Sequence, residues 1–393
     1  MIEIKRDVYW TGIKDWDMKR FHGHELSTHR GTSYNSYLLD DEMPVLIDTV
    51  WDPYKEIFVE KLESDYGLDK IKAIVINHIE PDHGGSLGLL MSKIPETPIY
   101  CTKSGEEIIK RHFHKDWNFK TVKTGDTLKT GKHELVFVEM KMLHWPDSML
   151  TYVKGKNLVF SNDAFGQHYS PSSLFNDEVD SCELYQEAIK YFANILAPFT
   201  PLIKKKVEEI KALNLPIDMI APSHGVIWRD NPMQIVEKYY EWSQNYNDGT
   251  VAIIYDTMYN ATKSMGEAIG KGLEKLNVKY KLFNSSICDQ SDLLTEVFKA
   301  KGVIVGSCTV NNTHLRSIAG VLDEIKAHKF KGKYGAAYGS YGWSGEAHKI
   351  IHEELKKAGL EVELEPIAFK YTPTKQELMQ CVDFGERFAK LLT

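Results

Sequence analysis

The sequence predicts two α/β domains, the second of which is a doubly wound parallel sheet. The chain has 393 residues, which exceeds what one compact core ordinarily holds. After residue 249, apolar strand-like segments alternate regularly with helical segments, whereas before it short apolar strands are separated by long loops rich in His, Asp and Glu. The hydrophilic stretch 245–249 separates these patterns, so we predict domains at 1–248 and 249–393.

The alternation in the second domain is that of repeated strand–helix units. Such units imply parallel strands with helices on both faces of the sheet. We predict strands at 251–255, 279–283, 302–305, 334–338 and 361–365, and helices at 262–276, 291–300, 314–328, 344–358 and 375–392.

The first domain has fewer regular signals. We predict strands at 72–77, 134–139 and 157–160 and a helical block over 182–213. A helix over 231–246, of about 24 Å at 1.5 Å per residue, is expected to lead into the second domain.

Composition and charge exclude several classes of protein. The formal net charge of -7 gives no electrostatic reason to bind nucleic acid or an acidic membrane. No apolar run approaches the roughly 18–20 residues that span a bilayer, and the N-terminus lacks an apolar signal core. Five cysteines without a CxxC pair argue against a disulfide framework and favour a reducing cytoplasm.

The strongest local signal is the segment Asn77-His-Ile-Glu-Pro-Asp-His-Gly-Gly85, between an apolar strand and an apolar helix. It offers four potential metal ligands within six residues: His78, Glu80, Asp82 and His83. Side chains of this kind collect at strand ends in functional loops. The density of ligands predicts a metal site, and a dinuclear one if further ligands join it.

Three later residues follow apolar strand-like stretches in the same way. They are His144, Asp163 and His224. A carboxylate such as Asp163 has two oxygens and can bind two cations at once. With the first cluster, these residues predict a dinuclear centre bridged by Asp163.

The order and spacing of these residues resemble the metallo-β-lactamase superfamily, whose motif is His-x-His-x-Asp-His. Glu80 replaces the second histidine, and His-x-Glu-x-Asp-His is the variant found in flavodiiron proteins, also called A-type flavoproteins. Phe21-His-Gly and the stretch 32–38 are similar to that family as well. The resemblance covers essentially the whole chain. It implies a metallo-β-lactamase-like αββα sandwich followed by a flavodoxin-like domain.

The resemblance also implies two iron ions at the seven residues named above, and the added carboxylate, a hard ligand, suits iron better than zinc. Whether His83 binds iron directly or through a water is left open. His22 and His24 are candidates to donate a hydrogen bond to a bound diatomic molecule.

The second domain is predicted to bind FMN at three loops. The segment Asp256–Thr262 offers hydroxyl and backbone N–H groups before a helix, as a phosphate cradle without charge, and it resembles the phosphate loop of flavodoxins. A Gly-rich dinucleotide turn is absent, so FMN fits better than FAD or NAD. The predicted FMN residues are Thr257, Met258, Tyr259, Asn260, Ala261, Thr262, Ser307, Thr309, Val310, Asn311, Asn312, Ser340, Tyr341, Gly342, Trp343, Ser344 and Gly345, with Trp343 against the ring.

The family implies reduction of dioxygen to water, of nitric oxide to nitrous oxide, or of both, and the sequence leaves the substrate open. It implies a separate electron donor, such as a rubredoxin or a reduced deazaflavin. It further implies a head-to-tail homodimer, in which the flavin of one chain serves the irons of the other. Two alternatives are compatible with the sequence: a zinc hydrolase fused to a flavodoxin domain, and an electron carrier with a vestigial first domain.

Overall fold

A computed structural model describes residues 1–23, 25–212 and 214–392. The chain folds as two compact units. The first unit comprises Met1–Phe21, Thr28–Phe192 and Phe199–Glu241, and the second comprises His22–Ser27, Ala193–Pro198 and Trp242–Thr393. His24, one of the predicted histidines, lies outside the described residues. The boundary predicted at residue 248 stays a prediction.

The strands, in chain order, are β1 (Ile2–Lys5), β2 (Val8–Trp10), β3 (Ile13–Asp15), β4 (Arg20–Phe21), β5 (Leu26–Ser27), β6 (Thr32–Tyr34), β7 (Tyr37–Leu39), β8 (Val45–Ile47), β9 (Ala73–Val75), β10 (Ile99–Cys101), β11 (Phe119–Thr121), β12 (Thr127–Lys129), β13 (Glu134–Glu139), β14 (Met149–Lys154), β15 (Leu158–Asn162), β16 (Met219–Pro222), β17 (Val251–Tyr255), β18 (Tyr280–Asn284), β19 (Gly302–Cys308), β20 (Tyr334–Tyr341) and β21 (Ile367–Lys370).

The α-helices are α1 (Lys55–Asp65), α2 (Pro81–Gly84), α3 (Leu87–Lys93), α4 (Lys103–Phe113), α5 (Ser181–Tyr191), α6 (Thr200–Ala212), α7 (Met233–Trp242), α8 (Ala261–Lys275), α9 (Gln290–Lys299), α10 (Arg316–His328), α11 (Ala347–Lys357) and α12 (Lys375–Leu391).

Two stacked sheets form the first unit. One has the strand order β1-β2-β7-β8-β9-β10-β11 and the other β12-β13-β14-β15-β16. Apolar side chains from both sheets, such as Val45 and Val75 from the first and Phe137 and Phe160 from the second, share one buried core. Helices such as α1 and α3 each bury one apolar face. This is the predicted αββα sandwich, and the fold class is confirmed.

The second unit contains the predicted parallel sheet. Its strand order is β18-β17-β19-β20-β21, with every neighbouring pair parallel. This 2-1-3-4-5 order is that of flavodoxin-like sheets, whose ligand site lies at the carboxyl ends of the first and third strands. Helices α8 and α12 pack with the sheet in one buried core that includes Ile269 and Phe384.

The last predicted strand is displaced. Residues 361–365 alternate in exposure but form only a single bridge, from Glu361 to Tyr334, and the strand proper is Ile367–Lys370. The segment starts beside β20, loses its pairing ahead of Pro366, and pairs again with the far end of β20. Pro366 has no N–H to donate to the ladder, which explains the interruption.

Two other predictions are corrected in length. The segments 306–308 and 339–341, predicted as the starts of loops, are the last residues of β19 and β20. The linker helix is Met233–Trp242 rather than 231–246, or about 15 Å instead of 24 Å. Asn231 before the helix and Asn245 after it both adopt left-handed backbone angles (φ 44° and 56°). The helix therefore cannot extend through either residue.

Within the described residues, no helix combines the length and apolar character needed to cross a bilayer.

Candidate dinuclear metal centre and flavin site

Four strand ends deliver the predicted metal ligands to one place. His78 and Glu80 follow β9, His144 lies between β13 and β14, Asp163 follows β15, and His224 follows β16. The turn directly after His224 requires glycine, because Gly225 has a left-handed φ of 75° and an added Cβ there would lie 1.8 Å from Oε1 of Gln167.

The other two predicted ligands stand on a short helix rather than on a reversing loop. Pro81 begins α2, and Asp82 and His83 occupy its next two positions. The glycines after them have helical, not left-handed, angles, and they are needed for close approach: a Cβ on Gly84 would lie 2.2 Å from Ile79, and one on Gly85 would lie 2.4 Å from the Asp52 nitrogen. Helix α2 therefore packs closely against Ile79 and against the backbone at Asp52.

One set of three ligands surrounds the Oδ2 oxygen of Asp163. The Nε2 atoms of His78 and His144 lie 3.5 and 3.3 Å from this oxygen. Both also approach Oε2 of Glu80, at 3.1 and 3.4 Å. Two histidines and one carboxylate thus converge on one side of Asp163.

A second, equivalent set surrounds the Oδ1 oxygen of Asp163. The Nε2 atoms of His83 and His224 lie 2.9 and 3.7 Å from it. They also lie 3.4 and 3.0 Å from Oδ2 of Asp82. Asp163 therefore stands between two matched groups, each made of two histidines and one carboxylate.

These separations fit two metal ions. Ligand atoms that each lie about 2.1 Å from one ion are about 3.0–3.4 Å apart at ordinary coordination angles. Among the described residues, both ring nitrogens of His83, both oxygens of Asp163 and Oδ1 of Asp82 are buried without a hydrogen bond. Buried polar atoms are rarely left so, and an ion would satisfy them.

The charges of the cluster also favour cations. Burial lowers the pKa of His83, but Asp82 and Asp163 outweigh it and raise that pKa to about 9. The same balance, with Asp163 and Glu80 as partners, raises the pKa of His144 to about 9. Burial acts the other way on Asp163, yet the neighbouring histidines hold its pKa well below the usual range. These shifts have the sign expected of a cluster that attracts positive charge, as a metal site must.

Asp147 supports the cluster and was not predicted from the sequence. Both its oxygens lie 3.1 Å from Nδ1 of His78, and Oδ2 also accepts the Ile79 N–H at 2.8 Å. Burial lowers the pKa of His78, but Asp147 and then Glu80 raise it well above the usual range. A carboxylate on Nδ1 leaves Nε2 directed at the metal site, which is the common arrangement for metal-binding histidines.

Further supporting residues surround His224. Its Nδ1 donates to the backbone oxygen of Ser33 at 2.6 Å, which again leaves Nε2 for the metal site. The buried ring of His168 lies 4.9 Å from that of His224, and its Nδ1 is 2.8 Å from the Thr32 hydroxyl. Tyr191 lies 6.2 Å from His224 by ring centroids. Burial, and then the charge of Asp163, raises the Tyr191 pKa well above the usual range.

His22, the other candidate histidine, is exposed and has a left-handed backbone angle (φ 51°). Its hydrogen bond to a diatomic stays a prediction.

The second unit has a cavity of about 540 Å³ at the carboxyl ends of its strands, and an adjoining one of about 280 Å³. This volume is typical of small-molecule sites. Thirteen predicted FMN residues line one or both: Thr257, Met258, Tyr259, Ala261, Thr309, Val310, Asn311, Asn312, Ser340, Tyr341, Gly342, Trp343 and Ser344. Cys308, Tyr371 and Thr372 also line the larger cavity and were missed. Tyr371 and Thr372 follow β21, whose strand was misplaced, and Cys308 ends β19.

Four predicted FMN residues do not line these cavities. Thr262 is fully buried and its hydroxyl lies 3.0 Å from that of Ser340, and Ser307 accepts the Leu315 N–H. Asn260 precedes α8 in a left-handed conformation (φ 64°), and Gly345 is also left-handed (φ 86°). These residues shape the loops, and whether any of them contacts FMN stays a prediction.

The cavity has the features that FMN requires. Ala261, the first residue of α8, lines it, and within the described chain no side chain caps that helix end, so its N–H groups are available to a phosphate. Trp343 is 86% exposed and Tyr371 is 68% exposed. Aromatic faces this open would be covered by a flavin ring.

Two family models match the chain. Residues 32–225 match the ODP family beta lactamase model, and residues 253–385 match the flavodoxin model. The two matches fall in the two predicted domains.

Named proteins from other organisms match almost the whole chain. An anaerobic nitric oxide reductase flavorubredoxin from Vibrio vulnificus is 48% identical over 99% of this chain and 80% of its own length. The crystal structure of the flavodiiron protein from Giardia intestinalis is 34% identical, with a TM-score of 0.95 over 99% of this chain and 96% of that one. The chain belongs to the flavodiiron protein family.

A second solved flavodiiron relative is the rubredoxin oxygen:oxidoreductase from Desulfovibrio gigas. It is 34% identical, with a TM-score of 0.96 over 100% of this chain and 98% of that one. The flavodiiron protein described here is therefore an oxidoreductase with FMN and two irons as cofactors, as the sequence predicted. The hydrolase alternative is not favoured, since these relatives are oxidoreductases.

Proposed function

We propose that this flavodiiron protein reduces two nitric oxide molecules to nitrous oxide and water, and one dioxygen molecule to two waters. The observation that carries the proposal is the pair of matched ligand groups on either side of Asp163. Two ions held by these groups would supply a paired redox centre for a diatomic substrate. Relatives named for nitric oxide reduction and for oxygen reduction support both substrates.

The seven predicted residues are proposed to hold the two irons. One iron would be held by His78, Glu80 and His144, the other by Asp82, His83 and His224, and Asp163 would offer one oxygen to each. When bound, the irons and FMN supply the electrons and the reactive centre. Three carboxylates among seven ligands make a harder site than the histidine-rich sites typical of zinc.

The chain's own residues orient and protect this centre. Asp147 and the Ser33 carbonyl fix the rings of His78 and His224 with Nε2 inward. All seven ligands are buried or nearly so, which excludes bulk water from the reacting molecules. Tyr191 keeps its phenolic proton beside this site, where both reactions consume protons.

The flavin is proposed to lie in the cavity of the second unit. Its phosphate takes the loop from Thr257 to Thr262, and its ring lies against Trp343. The other predicted FMN residues line or shape this cavity. The domain boundary at residue 248 is retained as part of the proposal.

The working unit is proposed to be a head-to-tail homodimer in the cytoplasm, supplied with electrons by a rubredoxin-like protein or a reduced deazaflavin. The rim of the flavin cavity carries four exposed large apolar side chains: Met258, Tyr259, Trp343 and Tyr371. Concentrated apolar exposure of this kind marks interaction sites. All five cysteines are free, as in reducing compartments.

The substrate preference is tested by steady-state turnover of the iron- and FMN-loaded protein. Consumption of nitric oxide and of dioxygen is followed separately with a reduced rubredoxin as donor. The proposal predicts nitrous oxide from the first gas and water, without released peroxide, from the second. Release of peroxide as the main product, or inactivity with both gases, would contradict it.

A further inference from the structure

Asp256 puts a buried negative charge directly before the proposed phosphate loop. It follows β17 and precedes Thr257, and its carboxylate is largely shielded from solvent. A carboxylate here repels a phosphate dianion if it acts by charge alone. Its contacts indicate another role.

Both oxygens of this carboxylate are engaged. Oδ1 accepts the backbone N–H of Thr257 at 2.7 Å, and Oδ2 accepts the hydroxyl of Ser317 at 2.6 Å. Ser317 belongs to the first turn of α10. The carboxylate thus ties the first residue of the phosphate loop to a neighbouring helix.

The tie extends to a third element. The hydroxyls of Ser317 and Ser285 lie 2.8 Å apart, and Ser285 follows β18. Ser317 gives its only hydroxyl proton to Asp256, and the single hydroxyl proton of Ser285 is shared between Ser317 and the backbone oxygen of Tyr255, which lies 3.3 Å away. The backbone N–H of Asp256 also donates to Gly306 of β19 at 3.1 Å.

We propose that Asp256 is a positioning residue for the FMN phosphate. By holding the Thr257 N–H, it fixes the start of the loop, so that the following N–H and hydroxyl groups face the phosphate. It acts through the loop and not on the flavin ring. The inference rests on the proposed flavin site.

The sign of one substitution separates positioning from charge. Asp256→Asn removes the repulsive charge but keeps the size of the side chain. Its amide is neutral, so the contacts to the Thr257 N–H and the Ser317 hydroxyl lose their charge assistance and become roughly half as strong. If Asp256 acts through position, FMN binding weakens by about tenfold or more, the scale of one hydrogen bond to a charged group. If it acts only through charge, binding tightens.

The experiment measures the dissociation constants of FMN and of riboflavin for the full chain after removal of its flavin. Riboflavin has the same ring but lacks the phosphate. Asp256→Asn is expected to weaken FMN and to leave riboflavin unchanged. Ser317→Ala, which keeps the charge and removes one contact, is expected to weaken FMN in the same direction, and the double variant is expected to lose less than the sum of the two.

Asp248→Asn is the matched control. Asp248 precedes β17 at its opposite end and accepts the Thr250 N–H at 3.0 Å, so neither flavin should be affected. Thermal melting of the flavin-free variants shows that each is folded, and Ser317→Ala carries the test if Asp256→Asn is not.

Three results would overturn the inference. They are unchanged or tighter FMN binding by Asp256→Asn and Ser317→Ala, an equal loss of FMN and riboflavin, and full additivity of the two substitutions. If the unaltered chain did not prefer FMN to riboflavin, the assignment of residues 257–262 as the phosphate loop would be wrong. The inference about Asp256 would then be wrong as well. A wild-type preference for FMN that survives both substitutions would remove the inference alone.

Discussion

Asp163 is the residue on which the proposed metal centre would depend most. Each of its oxygens faces two histidine Nε2 atoms, and neither oxygen has a hydrogen bond within the described part of the chain. Such a buried carboxylate is strongly unfavourable unless cations surround it. Its place between the two ligand groups explains why one residue can control both ions.

Asp163→Asn is expected to abolish the dinuclear centre and leave FMN in place. The neutral amide cannot bridge two cations as an anion does, whereas the flavin cavity belongs to the other unit. Iron per chain should fall from two to one or none, with flavin content unchanged, by metal analysis and visible absorbance. Asp41→Asn, which alters hydrogen bonds to residues 42 and 130–133 and none to the proposed ligands, should keep both. Two irons and full turnover in Asp163→Asn would disprove the bridge.

The metal-free protein is expected to lose stability as pH rises from about 6.5 to about 9. His83 and His144 have pKa values raised from 6.5 to about 9, so their stabilising contribution is complete below pH 6.5 and is lost as pH rises through 9. In the iron-loaded protein these nitrogens bind metal instead of protons, and the decline should be absent. Melting temperatures of both forms across this range test the point, and parallel curves would refute it.

The residues proposed to bind the metals could be predicted from the sequence, whereas the residues that hydrogen-bond to those ligands could not. His78, Glu80, Asp82 and His83 are close in sequence and chemically distinctive. Asp147 is an ordinary loop aspartate until folding brings it to His78, 69 residues away. Such support depends on long-range packing, which no local pattern encodes.

At the scale of elements, helices α8 and α12 approach each other closely at two glycines, Gly272 and Gly385. A Cβ on Gly385 would lie 2.1 Å from the backbone oxygen of Ile269 and 3.0 Å from the Cα of Gly272. Backbone atoms cannot yield as a flexible side chain does. The two glycines therefore set the distance between the helices.

Gly385→Ala is expected to destabilise the second unit by about 1–3 kcal/mol, the usual cost of overpacking. Gly320→Ala is the control, since a Cβ there meets nothing within 4 Å, and it should be neutral or stabilise α10 by up to about 1 kcal/mol. The free energy of unfolding of both variants is measured by denaturant titration, with flavin release as the signal. Equal stability of the two variants would show that the helices can separate without cost.

Regular elements were predictable where periodicity was strong, as in α8 through α12, whose bounds differ from prediction by at most three residues. The prediction of a strand at 361–365 was wrong because an alternation of Glu with Val and Leu is typical of any half-exposed extended segment. The alternation does not show whether that segment pairs with a neighbouring strand. The ends of β19 and β20 were missed because Gly306 and Gly339 resemble loop residues. In the sheet, glycine at these positions admits neighbouring groups: a Cβ on Gly306 would lie 2.2 Å from Tyr338.

At the scale of the whole molecule, the proposed homodimer makes the flavin of one chain serve the irons of the other. An Asp163→Asn chain and a chain unable to bind FMN, each inactive alone, should regain activity when their subunits exchange. Up to one working cofactor pair per heterodimer is expected. Background activity in samples proven to contain heterodimers would show that the cofactors communicate within one chain.

The central claim is that FMN and a diiron centre on these seven residues together reduce a diatomic gas. The most direct test is a single turnover, in which anaerobically reduced protein is mixed with nitric oxide while flavin absorbance and nitrous oxide are followed together. We expect one nitrous oxide for every two electrons withdrawn, with flavin oxidation at the same rate, and no nitrous oxide from an Asp163→Asn protein that retains its FMN. Nitrous oxide formed equally by Asp163→Asn, or none from chains that hold two irons and reduced FMN, would contradict it.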